Sequence, residues 1–421
     1  MPSPKILVIT VASWNSKVGS NTWTSLLRCY SAENIANLCI RDEIPDSPVC
    51  SRYFSISENK IIKSVLRRSL KTGRELSTNM SIESTRDLME HNARYNQMRK
   101  KRRYSMLLAR EFIWKVGKWH TKELDDFLDD FKPDIILHSM EGYIHLNRIT
   151  MYAIRRTGAK VIGYIWDDNF TYKQSKKIGY KFYRFFQRRS LKKLAKNTSD
   201  FFAISPYTKK EADAFFGIDC KILTKPLSRI PREYEFRVRN PLRILYTGNL
   251  LIGRDRSLVR FVNALKKMPA DFAVVDVYTQ TNLSDEIMCA LDPALCTVHE
   301  PIPQSEVLKK QEEADILLFL EDIDGPDALV ARLSFSTKIT DYLSAGKPIF
   351  AIGNQDTSPM HYLATNHAAV IACSDEEILQ RLKEIHGRPS LLRDIVSCAN
   401  NAAVMNHDPA LIKKVFETVV F

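Results

Sequence analysis

The chain has 421 residues, of which 44% are hydrophobic, 10% aromatic and 26% charged, with a net charge of +13. That length exceeds what one core usually serves and predicts two domains. The composition is that of a folded globular protein, and no apolar run approaches the ~18–20 residues of a membrane span. Met1-Pro2-Ser3-Pro4-Lys5 leads straight into a strand-like run, too short and wrongly flanked for a signal peptide. Eight cysteines lie scattered without a C-x-x-C, which predicts reduced, mostly buried thiols in a cytoplasmic protein and no metal cage.

The positive charge is concentrated. Residues 60–122 carry 17 Lys/Arg against 5 Asp/Glu, and residues 173–196 carry 10 Lys/Arg and no acid. Such patches suit an anionic membrane surface, polyphosphate ligands or nucleic acid.

Strands are predicted at 5–10, 35–40, 134–138, 161–165, 201–204, 221–224, 243–247, 272–278, 296–299, 315–320, 348–352 and 368–372, with helical patterns between most of them. Runs such as Ile316-Leu317-Leu318-Phe319-Leu320 do not alternate, as expected of parallel strands covered on both faces. The fold class is α/β with doubly wound sheets.

Taken along the chain, the first strand, Ile6–Thr10, runs into a loop holding Gly19 and Ser20 and then a helix from about Thr22. Gly19 and Ser20 either face a cleft or cap that helix. The loop is not G-x-G-x-x-G, so no dinucleotide cofactor is expected. Two later strands end in polar residues. Ile135–Leu137 leads to His138-Ser139-Met140-Glu141, and Val161–Ile165 leads to Trp166-Asp167-Asp168. In doubly wound sheets ligands bind at that end, so Asp167, then Asp168, then His138 are the candidate catalytic groups, the alternative being turn caps and a structural histidine.

Lys173–Lys196 is predicted to be an amphipathic helix, with Ile178, Phe182, Phe185, Phe186, Leu191 and Leu194 as one apolar stripe. It suits anionic lipid or a polyprenyl-phosphate acceptor, and the Arg99–Arg103 cluster is expected to share that surface. Residues 226–242, with three prolines and no periodicity, are read as the linker. The domains are then 1–230 and 240–405, with a terminal helix over 406–421 that returns to the first domain.

The second half opens with a strand and Gly248-Asn249-Leu250-Leu251-Ile252-Gly253-Arg254. Its glycines allow close backbone approach, and Arg254 suits bidentate phosphate binding. An acidic loop, Glu321–Asp327, follows a later strand. Ser336–Phe350, STKITDYLSAGKPIF, then predicts a helix opening with hydroxyls and a lysine, ended at Gly346, and leading into a buried strand. Its free N–H groups and positive dipole end suit an anion, and Asp341 one turn in suits sugar hydroxyls. Together these fit a nucleoside diphosphate.

The same stretch resembles the donor-site helix of GT-B glycosyltransferases, where S-K-(I/L)-x-(E/D)-Y-L-x-A-G-K-P is common. The resemblance runs along nearly the whole chain, closest to the retaining family-4 type used in bacterial surface-polysaccharide assembly. It implies two Rossmann-like domains facing a central cleft, with the acceptor on the first and the nucleotide sugar on the second. Against that family's G-R-L-x-x-x-K, Asn249 takes the arginine place and Arg254 the lysine place. Ser336, Thr337, Lys338 and Asp341 complete the implied donor set. Asp341 stands where a paired glutamate contacts ribose, while Leu333 stands in its partner's place. The resemblance further implies hexosyl transfer to a glycan or polyprenyl-linked acceptor, retaining rather than inverting, at the cytoplasmic face of a membrane bound through 173–196. It implies no metal, no other cofactor and no nucleic-acid partner. The rivals are a GT-B sugar-nucleotide 2-epimerase and a nucleic-acid-binding protein.

Overall fold

The computed structural model describes residues 3–14, 22–41, 44–76, 104–231 and 239–421. The chain forms two compact units, Met1–Leu223 with Val415–Phe421, and Thr224–Lys414.

Unit 1 runs β1 (Ile6–Thr10), α1 (Thr22–Leu27), β2 (Ile35–Cys39), β3 (Arg52–Ile56), α2 (Glu58–Ser64), β4 (Gly73–Leu76), α3 (Tyr104–Val116), α4 (Lys122–Phe131), β5 (Ile135–Ser139), α5 (Ile144–Thr157), β6 (Lys160–Ile165), α6 (Ile178–Ala195), β7 (Asp200–Ala203), α7 (Pro206–Phe216) and β8 (Lys221–Ile222). Its sheet has the order β4-β3-β2-β1-β5-β6-β7-β8 and is parallel except for the antiparallel pair β3/β4. Central strands are buried along their whole length, as their unbroken apolar runs require. Helix ends follow local chemistry. Thr121 caps α4 through Leu124 N–H, and Ser205 caps α7 ahead of Pro206, with Gly217 in the left-handed region at its end.

The sequence reading placed no strand at β3 or β4. Arg52-Tyr53-Phe54-Ser55-Ile56 interleaves polar residues, and charged Gly73-Arg74-Glu75-Leu76 is the edge strand of the sheet.

Helix α6 also differs from its predicted face. Tyr180 donates to Thr171 C=O at 3.0 Å and Tyr183 to Glu111 Oε1 at 3.4 Å, which turns the tyrosines inward together with Leu191 and Leu194. Ile178, Phe182, Phe185 and Phe186 are left exposed, Ile178 by 86%. The six apolar residues therefore do not form one stripe.

Unit 2 runs β9 (Leu242–Thr247), α8 (Arg254–Leu265), β10 (Ala273–Tyr278), α9 (Asp285–Ala290), β11 (Cys296–His299), α10 (Gln304–Glu313), β12 (Ile316–Leu320), α11 (Thr337–Ala345), β13 (Ile349–Ile352), α12 (Ser358–Thr365), β14 (Val370–Ala372), α13 (Asp375–Gly387) and α14 (Leu391–His407); α15 (Pro409–Val420) follows. All six strands are parallel, in the order β11-β10-β9-β12-β13-β14. A core from Ile244 and Tyr246 through Phe261, Leu318 and Phe350 lies between sheet and helices. In both sheets the strand order reverses beside the first strand, at β1/β5 and at β9/β12. The carboxyl ends of those strands open the crevice where doubly wound sheets bind ligands. Among the described residues no helix is long and apolar enough to cross a membrane.

Candidate functional site

At the unit 2 reversal the chain gathers a cluster of charged and hydroxyl groups. The turn after β9 passes through Gly248 at φ 124°, Ile252 at φ 61° and Gly253 at φ 75°. The first glycine is required by a close approach. A Cβ there would lie 2.6 Å from Lys338 Cε and 2.7 Å from Nζ. Lys338, in the first turn of α11, donates to Tyr246 Oη at 2.6 Å and lies 4.1 Å from the centre of that ring. Tyr246 in turn donates to Asn249 C=O at 2.5 Å.

Arg254 opens α8 and ties the two strand ends together. Its Nη1 donates to Asn249 Oδ1 at 2.8 Å, its Nε to Leu320 C=O at 3.2 Å, and its Nη2 to both oxygens of Glu321 at 2.9 and 3.1 Å. Glu321 is buried, so this is an enclosed ion pair at the end of β12. Enclosure pushes the Lys338 ammonium down to about 7, with the Arg254 charge adding to the effect. Ser336 stands at the N-cap of α11 without accepting a hydrogen bond there, and Thr337 follows as the first helical residue. The opening of the helix thus keeps N–H groups that its cap side chain does not satisfy.

Asp341 lies one turn further along α11. Its Oδ1 accepts from the buried Lys225 at 2.6 Å, while Oδ2 has no protein partner among the described residues. Leu333 is fully buried in unit 2. The acidic loop is organised rather than solvated. Asp322 pairs with Arg256 at 2.7 Å and accepts from Gly325 and Asp327 N–H.

In unit 1 the predicted candidates separate. His138 is buried, its Nε2 3.2 Å from Thr198 Oγ1, and burial pushes it down to about 4, so it stays neutral. Asp168 is buried and accepts from both the N–H and the hydroxyl of Thr171, the bonding of a turn. Asp167 is partly exposed beyond the end of β6. Glu141, beyond β5, is pushed up to about 7 by burial and then by the Asp167 charge. Gly19, Ser20 and Arg99–Arg103 lie outside the described residues.

Sequence reasoning did not single out Tyr246, Lys225 or Glu141. Tyr246 reads as one more core aromatic in an apolar strand. Lys225 carries no local signal, since its partner is 116 residues away.

No family model matches the chain, and no curated protein matches it. Solved structures do. HepE (Alr3699) of Anabaena, in complex with UDP, superposes with a TM-score of 0.64 at 10% identity over 99% of each chain. Sucrose-phosphate synthase from Thermosynechococcus elongatus gives 0.61 at 9% identity, over 98% of this chain and 97% of that one. The alpha,alpha-trehalose 6-phosphate synthase of Burkholderia multivorans gives 0.58 at 8% identity, over 99% and 96%. The fold is that of the GT-B glycosyltransferases. The Arg254–Lys338 cluster lies at the β9/β12 strand-order reversal of unit 2.

Proposed function

We propose that the chain is a glycosyltransferase that binds a nucleotide sugar in unit 2 and passes the sugar to a lipid-linked glycan acceptor at a membrane surface. The observation that carries this reading is the meeting of two cations, Arg254 and Lys338, with the open end of α11 at the strand-order reversal. HepE is solved with UDP and with UDP-glucose, which supports a donor of that class.

Each group has a role in this reading. Lys338 gives up Tyr246 and turns its ammonium to the diphosphate, while Gly248 leaves it room to do so. Arg254, fixed by Glu321 and Asn249, supplies a preset positive charge. Ser336 and Thr337 offer backbone N–H groups and hydroxyls. Asp341 takes ribose hydroxyls on its free oxygen while Lys225 holds the other. These groups stabilise the charge that grows on the departing diphosphate, and that is the main catalytic contribution. We favour retention, in which the leaving phosphate accepts the acceptor proton. Under inversion Asp167 is the base. The reading needs no metal ion.

The test is turnover with a panel of sugar nucleotides, with and without a polyprenyl-linked acceptor. Release of nucleoside diphosphate with a new glycoside supports it, and the anomeric configuration of the product settles retention. An epimerised sugar nucleotide without acceptor assigns the chain to the 2-epimerases instead. Absence of binding to every sugar nucleotide overturns the donor site.

A further inference from the structure

Unit 1 carries a cavity of about 720 Å³ between α3, α5 and α6. That volume lies in the range of small-molecule sites. Arg148 and Arg155 of α5 line one wall, and Arg189, Lys192, Lys193 and Lys196, at the end of α6, line the other. Lys115 of α3 adds a seventh positive charge. None of the seven pairs with a carboxylate among the described residues.

The one acid in the lining, Glu111, is already committed. It is buried and accepts from Ile144 N–H at 3.2 Å, His145 N–H at 2.9 Å and His145 Nδ1 at 3.0 Å, closing the first turn of α5. Its charge is spent on a helix N-terminus and an imidazole. The cavity is therefore strongly positive, with no free carboxylate among its described lining residues to balance the charge.

Its remaining wall is apolar. Leu108, Phe112, Ile144, Met151 and Phe186 line it. Phe112 is 63% exposed, and Phe186 joins Phe182 and Phe185 in edge-to-face contacts at 5.1 and 5.5 Å, all three exposed. Three clustered aromatic rings facing water beside cations without a carboxylate partner form an amphipathic surface that no described residue of this chain covers. An inorganic anion satisfies only the cations, and a single-stranded nucleic acid, whose bases stack on exposed rings, leaves the aliphatic wall of Leu108, Ile144 and Met151 without a role.

We propose that the α3–α5–α6 cavity seats the phosphate headgroup of an anionic membrane phospholipid, with the Phe182–Phe185–Phe186 cluster and Phe112 lying among its acyl chains. This deepens the membrane part of the function proposed above and does not depend on the donor site. It also moves the contact from the whole 173–196 segment to one end of it. Within that segment Lys173 is paired with Glu211 at 2.6 Å, and Arg188 is held between the rings of Phe215 and Tyr172 while donating to Phe170 C=O. Neither is a free cation.

The experiment compares Arg155→Glu/Lys193→Glu, two exposed positions of the cavity, with Lys176→Glu/Lys177→Glu, which makes the same charge change outside it. The full chain is sedimented with phosphatidylcholine vesicles with and without phosphatidylglycerol. Calorimetry measures binding of dihexanoyl phosphatidylglycerol below its micelle concentration, and of inorganic phosphate. The cavity variant should lose at least about tenfold in vesicle partitioning, and the control pair under about threefold. The short-chain lipid should bind the wild type and the control but not the cavity variant. Circular dichroism and thermal unfolding should be unchanged in all three proteins, which confirms their fold. Equal loss in both variants overturns the cavity and leaves peripheral membrane binding standing. Phosphate binding as tightly as the short-chain lipid overturns the lipid assignment. Failure of wild type with vesicles and short-chain lipid alike overturns both.

Discussion

Donor binding is expected to carry a proton with it, through Lys338. In the ligand-free protein, enclosure and the neighbouring Arg254 hold this lysine at about 7 rather than its ordinary 10.5. A diphosphate beside it favours the ammonium and raises that value. Binding then takes up a proton at any pH between the free and bound values. Affinity is complete below about pH 7 and falls as pH rises through the window. If the ligand restores the ordinary value, only the protonated fraction is competent, about half the molecules near pH 7 and about one in a hundred near pH 9. The dissociation constant then weakens about fiftyfold, or about 2.3 kcal/mol. Because Lys338 keeps some exposure, that figure is an upper one.

The assay is calorimetry of a sugar nucleotide in buffers of different ionisation enthalpy. A sugar nucleotide is preferable to a nucleoside diphosphate because both its phosphates are esterified and do not titrate in the window. Tyr246, pushed well above its ordinary value by burial, stays neutral throughout. Lys338→Arg keeps its charge and should show a flat profile. Stability of the free protein should slope the other way. The unfolded chain binds more protons than the folded one between about 7 and 10.5, so stability should rise with pH there. A wild-type affinity independent of pH, or the same slope in Lys338→Arg, refutes the reasoning.

Arg254→Ala should both weaken the donor and destabilise unit 2 by about 3–5 kcal/mol, because Glu321 is left buried and unpaired; adding Glu321→Leu should restore most of the stability but not the binding, as urea unfolding and calorimetry would show. Asp341→Asn keeps an acceptor for Lys225 but loses the charge, and should cost about 1–3 kcal/mol in stability together with weaker nucleoside diphosphate binding; unchanged affinity would make Asp341 purely structural. Gly248→Ala places a methyl against Lys338 in a conformation that L-residues avoid, and should cost about 1–3 kcal/mol in urea unfolding and displace the lysine from Tyr246.

Unbroken apolar runs make a strand easy to read, although the exposed β8 is predicted as well and the mostly buried β3 is missed. β1, β5, β9 and β12 read as unbroken apolar runs because the sheet covers both their sides. β3 and β4 lie toward one edge, where Arg52 pairs with Glu75 and Asp130, and their charged pattern resembles a loop. The same division holds at the site. Lys338, Arg254 and Asp341 are visible as charged residues at turns and helix starts. Their partners are not, because Tyr246, Glu321 and Lys225 acquire their meaning only when distant segments meet. Helix α6 shows the limit of periodicity most directly. Its tyrosines and phenylalanines are equally apolar by composition, and inward hydroxyl bonds from Tyr180 and Tyr183 decide which set is buried.

The two sheets share a strand-order reversal beside their first strand, and the described strand ends of the two units carry different charge. At β9/β12 the crevice is lined by a fixed guanidinium, a lysine whose hydrogen bond to tyrosine is exchangeable, and a helix opening without a cap. Such a site favours a ligand that brings its own negative charge. At β5 and β6 the strand ends present Glu141, pushed up to about 7 by burial and the Asp167 charge, and Asp167 itself, while His138 is neutral and buried. Carboxyl groups hydrogen-bond hydroxyls and offer a diphosphate no positive charge. In the function proposed above, the unit 2 cluster takes the anion and the unit 1 carboxyls take hydroxyls. That polarity fits the proposed transfer from a charged donor to a sugar hydroxyl, and a nucleic-acid-binding protein has no use for the acidic half.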